Sequence, residues 1–251
     1  MTRAMIVLVL AMATTPASGQ AQDWSWPEQP ENLQVLPEDT GPQELRMTMG
    51  MFVRGLGVRC TFCHVGEEGQ PLSTYDFASD SNSHKVTART MLRMLSVIRD
   101  SVATVQMGEH GEHGEGVDVG CWTCHRGRPR PTTLEQELRE AYREAGIDAA
   151  LARYHELREE FYGRGALDFG ERSLNAFGYE LLGEEQAADA VAVFRLNAEQ
   201  FPESGNVWDS LGEGLLAAGQ REEAIDAYEK SLELDPENDN AREKLREISG
   251  E

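Results

Sequence analysis

Two five-residue stretches constrain this chain more than anything else in it: Cys60-Thr61-Phe62-Cys63-His64 and Cys121-Trp122-Thr123-Cys124-His125. Each has the form C-x-x-C-H, the attachment pattern of a covalently bound c-type haem. The spacing has a chemical reason. Two Cys three residues apart project from one side of a helical turn, so their sulfurs can add to the two vinyl groups on one porphyrin edge. The His that follows is carried under the ring, where its imidazole can bind iron. Other uses of paired Cys fit less well. A zinc ribbon places its two C-x-x-C pairs about 15–20 residues apart, and the gap between Cys63 and Cys121 is far longer. A thioredoxin-like motif needs one C-x-x-C beside a strand–helix unit, and a disulfide framework needs no His. The chain has four Cys, and the two motifs use all of them. The cofactor expected is therefore two c-type haems, on Cys60 and Cys63 and on Cys121 and Cys124, with His64 and His125 as iron ligands.

Before the first motif, residues 1–21 read as an export signal. Arg3 supplies the positive start, Ala4 to Ala13 is apolar, and small residues follow at Ala17, Ser18, Gly19 and Ala21. The apolar run is too short to span a bilayer. No later segment is apolar and long enough to do so, so no transmembrane segment is expected once the signal is removed. Export to the periplasm, or to the periplasmic face of the membrane, also suits covalent haem. Residues 22–42 are rich in Pro, Gln and Glu and read as an extended lead-in. A helix is expected after Pro42, with Leu45, Met49, Phe52 and Leu56 on one stripe and Gly57 as its stop. Met47, Met49 and Met51 lie two residues apart and cannot all face the same way.

Between the motifs, Ser81-Asn82-Ser83 offers helix caps. The helix expected over 85–98 carries an apolar stripe of Ala88, Met91, Leu95 and Ile98, flanked by Leu92 and Met94. Its sulfurs are either core filling or iron ligands. Residues 107–116 form a low-complexity loop that holds His110 and His113, and solvation is the simplest account of it. Arg126, Arg128 and Arg130 follow the second motif. They suit haem propionates but read by default as solvent-facing.

The net charge is −21, which disfavours nucleic acid and anionic membrane as partners. It is distributed unevenly. Residues 132–251 hold 12 Lys/Arg and 29 Asp/Glu, a net of −17, against −4 for residues 1–131. This step places a boundary near Pro131. Beyond it the chain repeats. Gly178 and Gly212 are 34 residues apart, as are Phe194 and Tyr228, and Pro202 and Pro236. That is the tetratricopeptide period. Trp208, Leu211-Gly212, Ala224 and Pro236 keep the rest of its pattern. A weaker copy includes Leu151, Tyr154, Leu157 and Phe161. Three helix pairs of this kind stack into a solenoid that binds a protein segment.

The residues around the motifs resemble one di-haem module of the photosynthetic reaction-centre cytochrome c subunit family. The stretches that carry the resemblance are Leu56-Gly57-Val58-Arg59-Cys60-Thr61-Phe62-Cys63-His64, then Ala88-Arg89-Thr90-Met91-Leu92-Arg93-Met94, then Cys121-Trp122-Thr123-Cys124-His125-Arg126-Gly127. The resemblance implies a Met on the far side of each iron. Met49 stands where the family places the Met before L-G-x-x-C, and Met91 where it places the Met of A-R-x-M. The first is implied for haem 1 and the second for haem 2. The family subunit carries two modules and four haems; this chain has one module, followed by repeats.

The expected fold is all-α: a di-haem cytochrome domain over 43–131 and a tetratricopeptide-like domain over 132–251. The expected function is an exported di-haem cytochrome that carries single electrons between a redox protein donor and acceptor. The repeats would act as a separable docking module, so that cutting near Thr132 leaves both haem spectra unchanged. A di-haem peroxidase-like enzyme is the main alternative. It needs one iron with an open face, against which two placed Met argue. The other alternative is a repeat adaptor whose haems are structural or sensory.

Overall fold

The computed structural model describes residues 24–103 and 118–250. The export signal expected over 1–21 and the loop with His110 and His113 lie outside them. The described residues are helical, as the sequence predicts, with a single isolated antiparallel bridge between Val65 and Asp76. No helix among them is long and apolar enough to cross a membrane. Packing divides the chain into two compact units, each described by itself. The first comprises residues up to 50 and 59–117; the second comprises 51–58 and 118 onward.

The first helix, α1 (Pro42–Leu56), includes the Pro after which the sequence places its start and ends before the Gly as expected. Pro at the first helical position loses nothing, because its missing N–H would be unbonded there anyway. Gly57 then adopts φ 68, where a Cβ is strained. In the first unit, short 3-10 turns at Cys60–Phe62 and Leu72–Thr74 precede the long helix α2 (Ser83–Ala103). The Asn82 side chain accepts from the His84 N–H at 3.0 Å, as the cap signal anticipates. This unit has almost no apolar interior: of residues 24–50 and 59–102, only Leu45 is a buried hydrophobic.

The second unit is built differently. After α3 (Cys121–His125) come three helix pairs. They are α4 (Leu134–Ala145) with α5 (Ile147–Phe161), α6 (Glu171–Gly183) with α7 (Ala187–Gln200), and α8 (Gly205–Ala217) with α9 (Arg221–Leu234). A final helix, α10 (Asp239–Ser249), closes the stack. The sequence predicts three pairs, and this last helix is additional to them. The repeat Gly residues explain the period. A Cβ on Gly178 would stand 2.5 Å from the Phe194 ring, and one on Gly212 would stand 2.8 Å from the Tyr228 ring. The second and third pairs therefore each seat an aromatic ring of the second helix on a bare patch of the first. Phe194, Tyr228, Phe177 and Tyr154 are fully buried in one continuous core.

The charge step at Pro131 is not where packing divides. Residues 118–131, with the whole second motif, belong to the same compact unit as the repeats.

Candidate haem sites

In the first motif, the 3-10 turn is closed by Cys63 N–H to the Cys60 carbonyl at 3.2 Å and by His64 N–H to the same carbonyl at 2.9 Å. Both Cys side chains thus leave one side of a single turn, with His64 directly after. The His64 ring is half-buried and packs edge-on to Phe77, centroids 5.0 Å apart. Phe77 in turn contacts Tyr75 and Trp24, each with centroids 5.6 Å away. The loop between is tied by Asp76 N–H to the Val65 carbonyl at 2.9 Å. It is also tight: a Cβ on Gly66 would stand 2.6 Å from the Tyr75 ring. The start of α2 docks on the motif itself. His84 stacks on Phe62 at 4.1 Å, and Asn82 Nδ2 donates to the Phe62 carbonyl at 3.1 Å.

Behind this loop lies a polar cage that sequence reasoning missed. Lys85 Nζ donates to the carbonyls of Phe77, Ala78 and Ser79 at 2.9, 2.8 and 2.9 Å. Asp80 pairs with Lys85 at 3.2 Å and with Arg89 at 2.8 Å. Arg89 also donates to the Asn32 carbonyl at 3.0 Å, which brings the lead-in into the unit. Hydrogen bonds from Arg89 and Asn32, followed by Lys85, hold the Asp80 carboxyl well below the usual range. The signal for the cage was the spacing of Lys85 and Arg89, one helical turn apart on the side facing Asp80. Burial, followed by the charge of Lys85, lowers the basicity of His64. This favours the neutral imidazole that a metal ligand must be. His64 Nδ1 is buried and makes no hydrogen bond.

The second motif forms true α-helix. Gly120 precedes it, and Thr123 Oγ1 accepts the Gly120 N–H at 3.0 Å. The chain then reverses through two left-handed residues, Arg126 at φ 50 and Gly127 at φ 83. This turn brings the Arg128 carbonyl to 2.9 Å from His125 Nδ1. A ring N–H on Nδ1 satisfies that carbonyl and leaves the Nε2 lone pair for a metal. The end of α1 is pressed against the same turn. Gly127 N–H donates to the Gly55 carbonyl at 2.9 Å. A Cβ on Gly57 would stand 2.2 Å from the Gly127 carbonyl oxygen, and one on Gly55 would stand 2.5 Å from Cys121 Cβ.

Of the three Arg after the motif, Arg128 is not solvent-facing. It is 7 % exposed and donates from one terminal nitrogen to Thr132 Oγ1 at 2.8 Å and from the other to Glu137 Oε1 at 2.6 Å. Its guanidinium lies over the Phe161 ring, 5.3 Å from the centroid. Burial would raise the Glu137 carboxyl, but hydrogen bonds from Thr132, Arg153 and Arg128 and the charge of Arg128 pull it down to about 2. Arg130 forms an exposed two-pronged pair with Glu140.

The candidate sulfur ligands are distributed as follows. On α1, Met49 is half-buried on the stripe with Leu45, whereas Met47 and Met51 are exposed. On α2, Met91, Met94 and Val97 form an exposed apolar row, opposite the face that carries Lys85 and Arg89. Apolar side chains that lack cover are also found near the motifs, Val65 by the first and Val53 and Trp122 by the second. A half-buried imidazole in a unit with almost no apolar core, a second imidazole with one nitrogen engaged and the other free, and uncovered apolar side chains near both motifs fit a large apolar plate with a central metal. No disulfide joins any of the four Cys.

Comparison with known proteins agrees with this chemistry. The model of a family described as the photosynthetic reaction centre cytochrome C subunit matches residues 28–156, and a tetratricopeptide repeat model matches residues 205–238. The first match runs past Pro131, through α4 and into α5. Two solved structures are similar to the chain. One is the first tetratricopeptide domain of Spaghetti (RPAP3) bound to an HSP90 peptide, 21 % identical over 47 % of this chain and 88 % of that one, with a TM-score of 0.34. The other is the NMR structure of the first tetratricopeptide domain of human RPAP3, 20 % identical over 47 % and 87 % of the two chains, also with a TM-score of 0.34.

Proposed function

Because the chain belongs to the photosynthetic reaction centre cytochrome C subunit family, we propose that it is an exported carrier of single electrons between redox proteins, with two covalent c-type haems. The group supplies reversible one-electron exchange at iron when bound. The chain supplies everything else. Cys60 with Cys63, and Cys121 with Cys124, fix each porphyrin edge. His64 and His125 each present one ring nitrogen to iron. Met49 and Met91 are the far-side thioethers that the family pattern assigns. Bound between these His and Met side chains, each iron would keep no position for a substrate, and its ferrous state would be favoured. The repeats add a surface for a protein segment. Their net charge of −17 selects a basic partner and makes the encounter sensitive to salt.

The observation that carries this reading is the second motif, where His125 has Nδ1 bound to the Arg128 carbonyl at 2.9 Å and Nε2 left for a metal. The test is the intact mass of protein exported by a host competent in haem attachment, after acid–acetone extraction. The expected mass is that of the chain without residues 1–21 plus two haems, and a bare polypeptide sinks the proposal. A spectroelectrochemical titration with and without carbon monoxide separates a carrier from an enzyme. A carrier gives two waves that carbon monoxide does not move. Met91→Ala should open one iron to carbon monoxide; if Met94→Ala does so instead, the ligand of haem 2 is Met94.

A further inference from the structure

We propose that Glu137, on the first helix of the repeat stack, is a positioning residue for the iron-binding His125. The inference rests on the haem reading above and goes beyond it. The contacts form one chain. His125 Nδ1 is 2.9 Å from the Arg128 carbonyl, and the Arg128 N–H returns to the His125 carbonyl at 2.9 Å. This residue, which fixes the imidazole through its backbone, is itself fixed through its side chain. Its guanidinium is buried and reaches Glu137 Oε1 at 2.6 Å. Thr132 Oγ1 donates to that same oxygen at 2.6 Å, and Arg153 Nη2 donates to Oε2 at 2.8 Å. Glu137 is 8 % exposed.

A buried carboxylate answered by two guanidinium groups and a hydroxyl is costly to assemble and rigid once assembled. The backbone amides of Arg126, Gly127 and Arg128 hold the turn after the motif but leave the Arg128 side chain to be anchored elsewhere. Glu137 and Phe161 anchor that side chain, and in this arrangement the Arg128 carbonyl is turned toward His125. The consequence for the ligand is electronic. A strong Nδ1–H bond gives the imidazole partial imidazolate character and makes it a better donor to iron. Ferric iron is then favoured and the midpoint potential falls. Loosening Arg128 weakens the bond and raises the midpoint. Losing the carboxylate charge acts in the same direction, so the midpoint alone does not distinguish the two effects.

The test therefore uses two readouts on the full-length, haem-loaded protein. Glu137→Gln is compared with the wild type by spectroelectrochemical titration and by the Nδ1–H proton resonance of His125 in the ferrous state. The wave of the second haem is assigned with a Cys60→Ala/Cys63→Ala variant, which removes the first. The expected result is an upward shift of the second midpoint, a moved Nδ1–H resonance and an unmoved first midpoint. A shifted midpoint with an unmoved resonance overturns positioning in favour of charge alone. No shift in either, with only a lower melting temperature, reduces Glu137 to a structural ion pair. If Glu137→Gln does not load haem, Thr132→Val decides by the same criteria, with a smaller shift in the same direction. The mass of the wild type is checked first. Absence of the second haem there overturns the haem reading; its presence with silent variants overturns only this inference.

Discussion

The two C-x-x-C-H motifs have the same grammar and opposite support. The first is held by polar contacts. Its loop is fastened by Lys85, Asp80 and Arg89, and Leu45 is the one buried hydrophobic among residues 24–50 and 59–102 of its unit. The second sits in one compact unit with a continuous apolar core, and its Arg128 is clamped between Glu137 and Phe161. The histidines reflect this. His64 Nδ1 is buried without a hydrogen-bond partner, whereas His125 Nδ1 is held by the Arg128 carbonyl at 2.9 Å. The motif dictates attachment, but the segment after the His decides how the ring is held, and the two segments share no sequence logic.

The largest effect should come from ending the chain at Pro131. That removes Glu137, Phe161 and Arg153 together. The first haem should keep its spectrum and midpoint, while the second loses its clamp and shows a raised midpoint or incomplete loading. Optical titration and the haem-to-protein ratio measure this. Two unchanged waves would mean that the motifs are equally independent of the repeats, as the charge step alone suggested.

Next comes the stitch between α1 and the second motif. Gly57→Ala places a Cβ 2.2 Å from the Gly127 carbonyl at φ 68. The left-handed backbone costs a β-carbon about 1–2 kcal/mol and the overlap a further 1–3 kcal/mol or so. Gly69→Ala, at φ 84 with nothing within 4 Å of a Cβ, should show the conformational cost alone. Denaturant unfolding of the two variants compares them, and equal losses would refute the close approach.

Acid should weaken both supports, and Glu137→Gln separates them. The folded pKa of Glu137 is depressed, from an ordinary value near 4.5 to about 2. Its contribution is therefore complete above that ordinary value and is lost as pH falls toward 2. Asp80 is depressed as well, and its support of the first unit is lost on the acid side in the same sense. Melting temperature followed down from pH 6 should drop through this window. In Glu137→Gln the second unit starts lower and falls less steeply. A wild-type curve that is flat between pH 4.5 and pH 2 would contradict both assignments.

The last two repeats were legible because one spacing carries a packing rule. Gly178 meets Phe194 and Gly212 meets Tyr228 at the same offset, so a 34-residue echo in the sequence is a contact in the fold. The bounds of α1 were legible from Pro42 and Gly57, each of which acts locally. The motif residues could be named one by one for the same reason. What could not be read was long-range. Arg128 looks like any Arg in a Gly-Pro turn until Glu137 is brought to it, and Asp80 looks like loop polarity until α2 brings up Lys85 and Arg89. The charge step near Pro131 and the packing division at 118 differ because charge records the solvated face of the helices, whereas the unit is defined by what lies beneath it. Helix α10 lacked a partner in the sequence pattern because a capping helix needs only one apolar side, supplied here by Ala241 and Ile248.

The smallest effect lies inside the motifs. Each contains one Thr, at different places: Thr61 directly after the first Cys, Thr123 directly before the second. Only the latter position lets the hydroxyl reach back over the helix start, and Thr123 Oγ1 takes the Gly120 N–H at 3.0 Å. Among the described residues, Thr61 makes no such bond, and the matching place in its motif is held by Phe62, which stacks on His84 instead. This difference accompanies the α-helical form of the second motif and the 3-10 form of the first. Thr123→Val keeps the shape and removes the acceptor, which should cost about 1 kcal/mol, the net value of one hydrogen bond. Thr61→Val should stay within about 0.5 kcal/mol of the wild type. Unfolding of the haem-loaded variants resolves the pair. If Thr61→Val costs as much as Thr123→Val, the contrast in how the two motifs begin is not what sets their different turns.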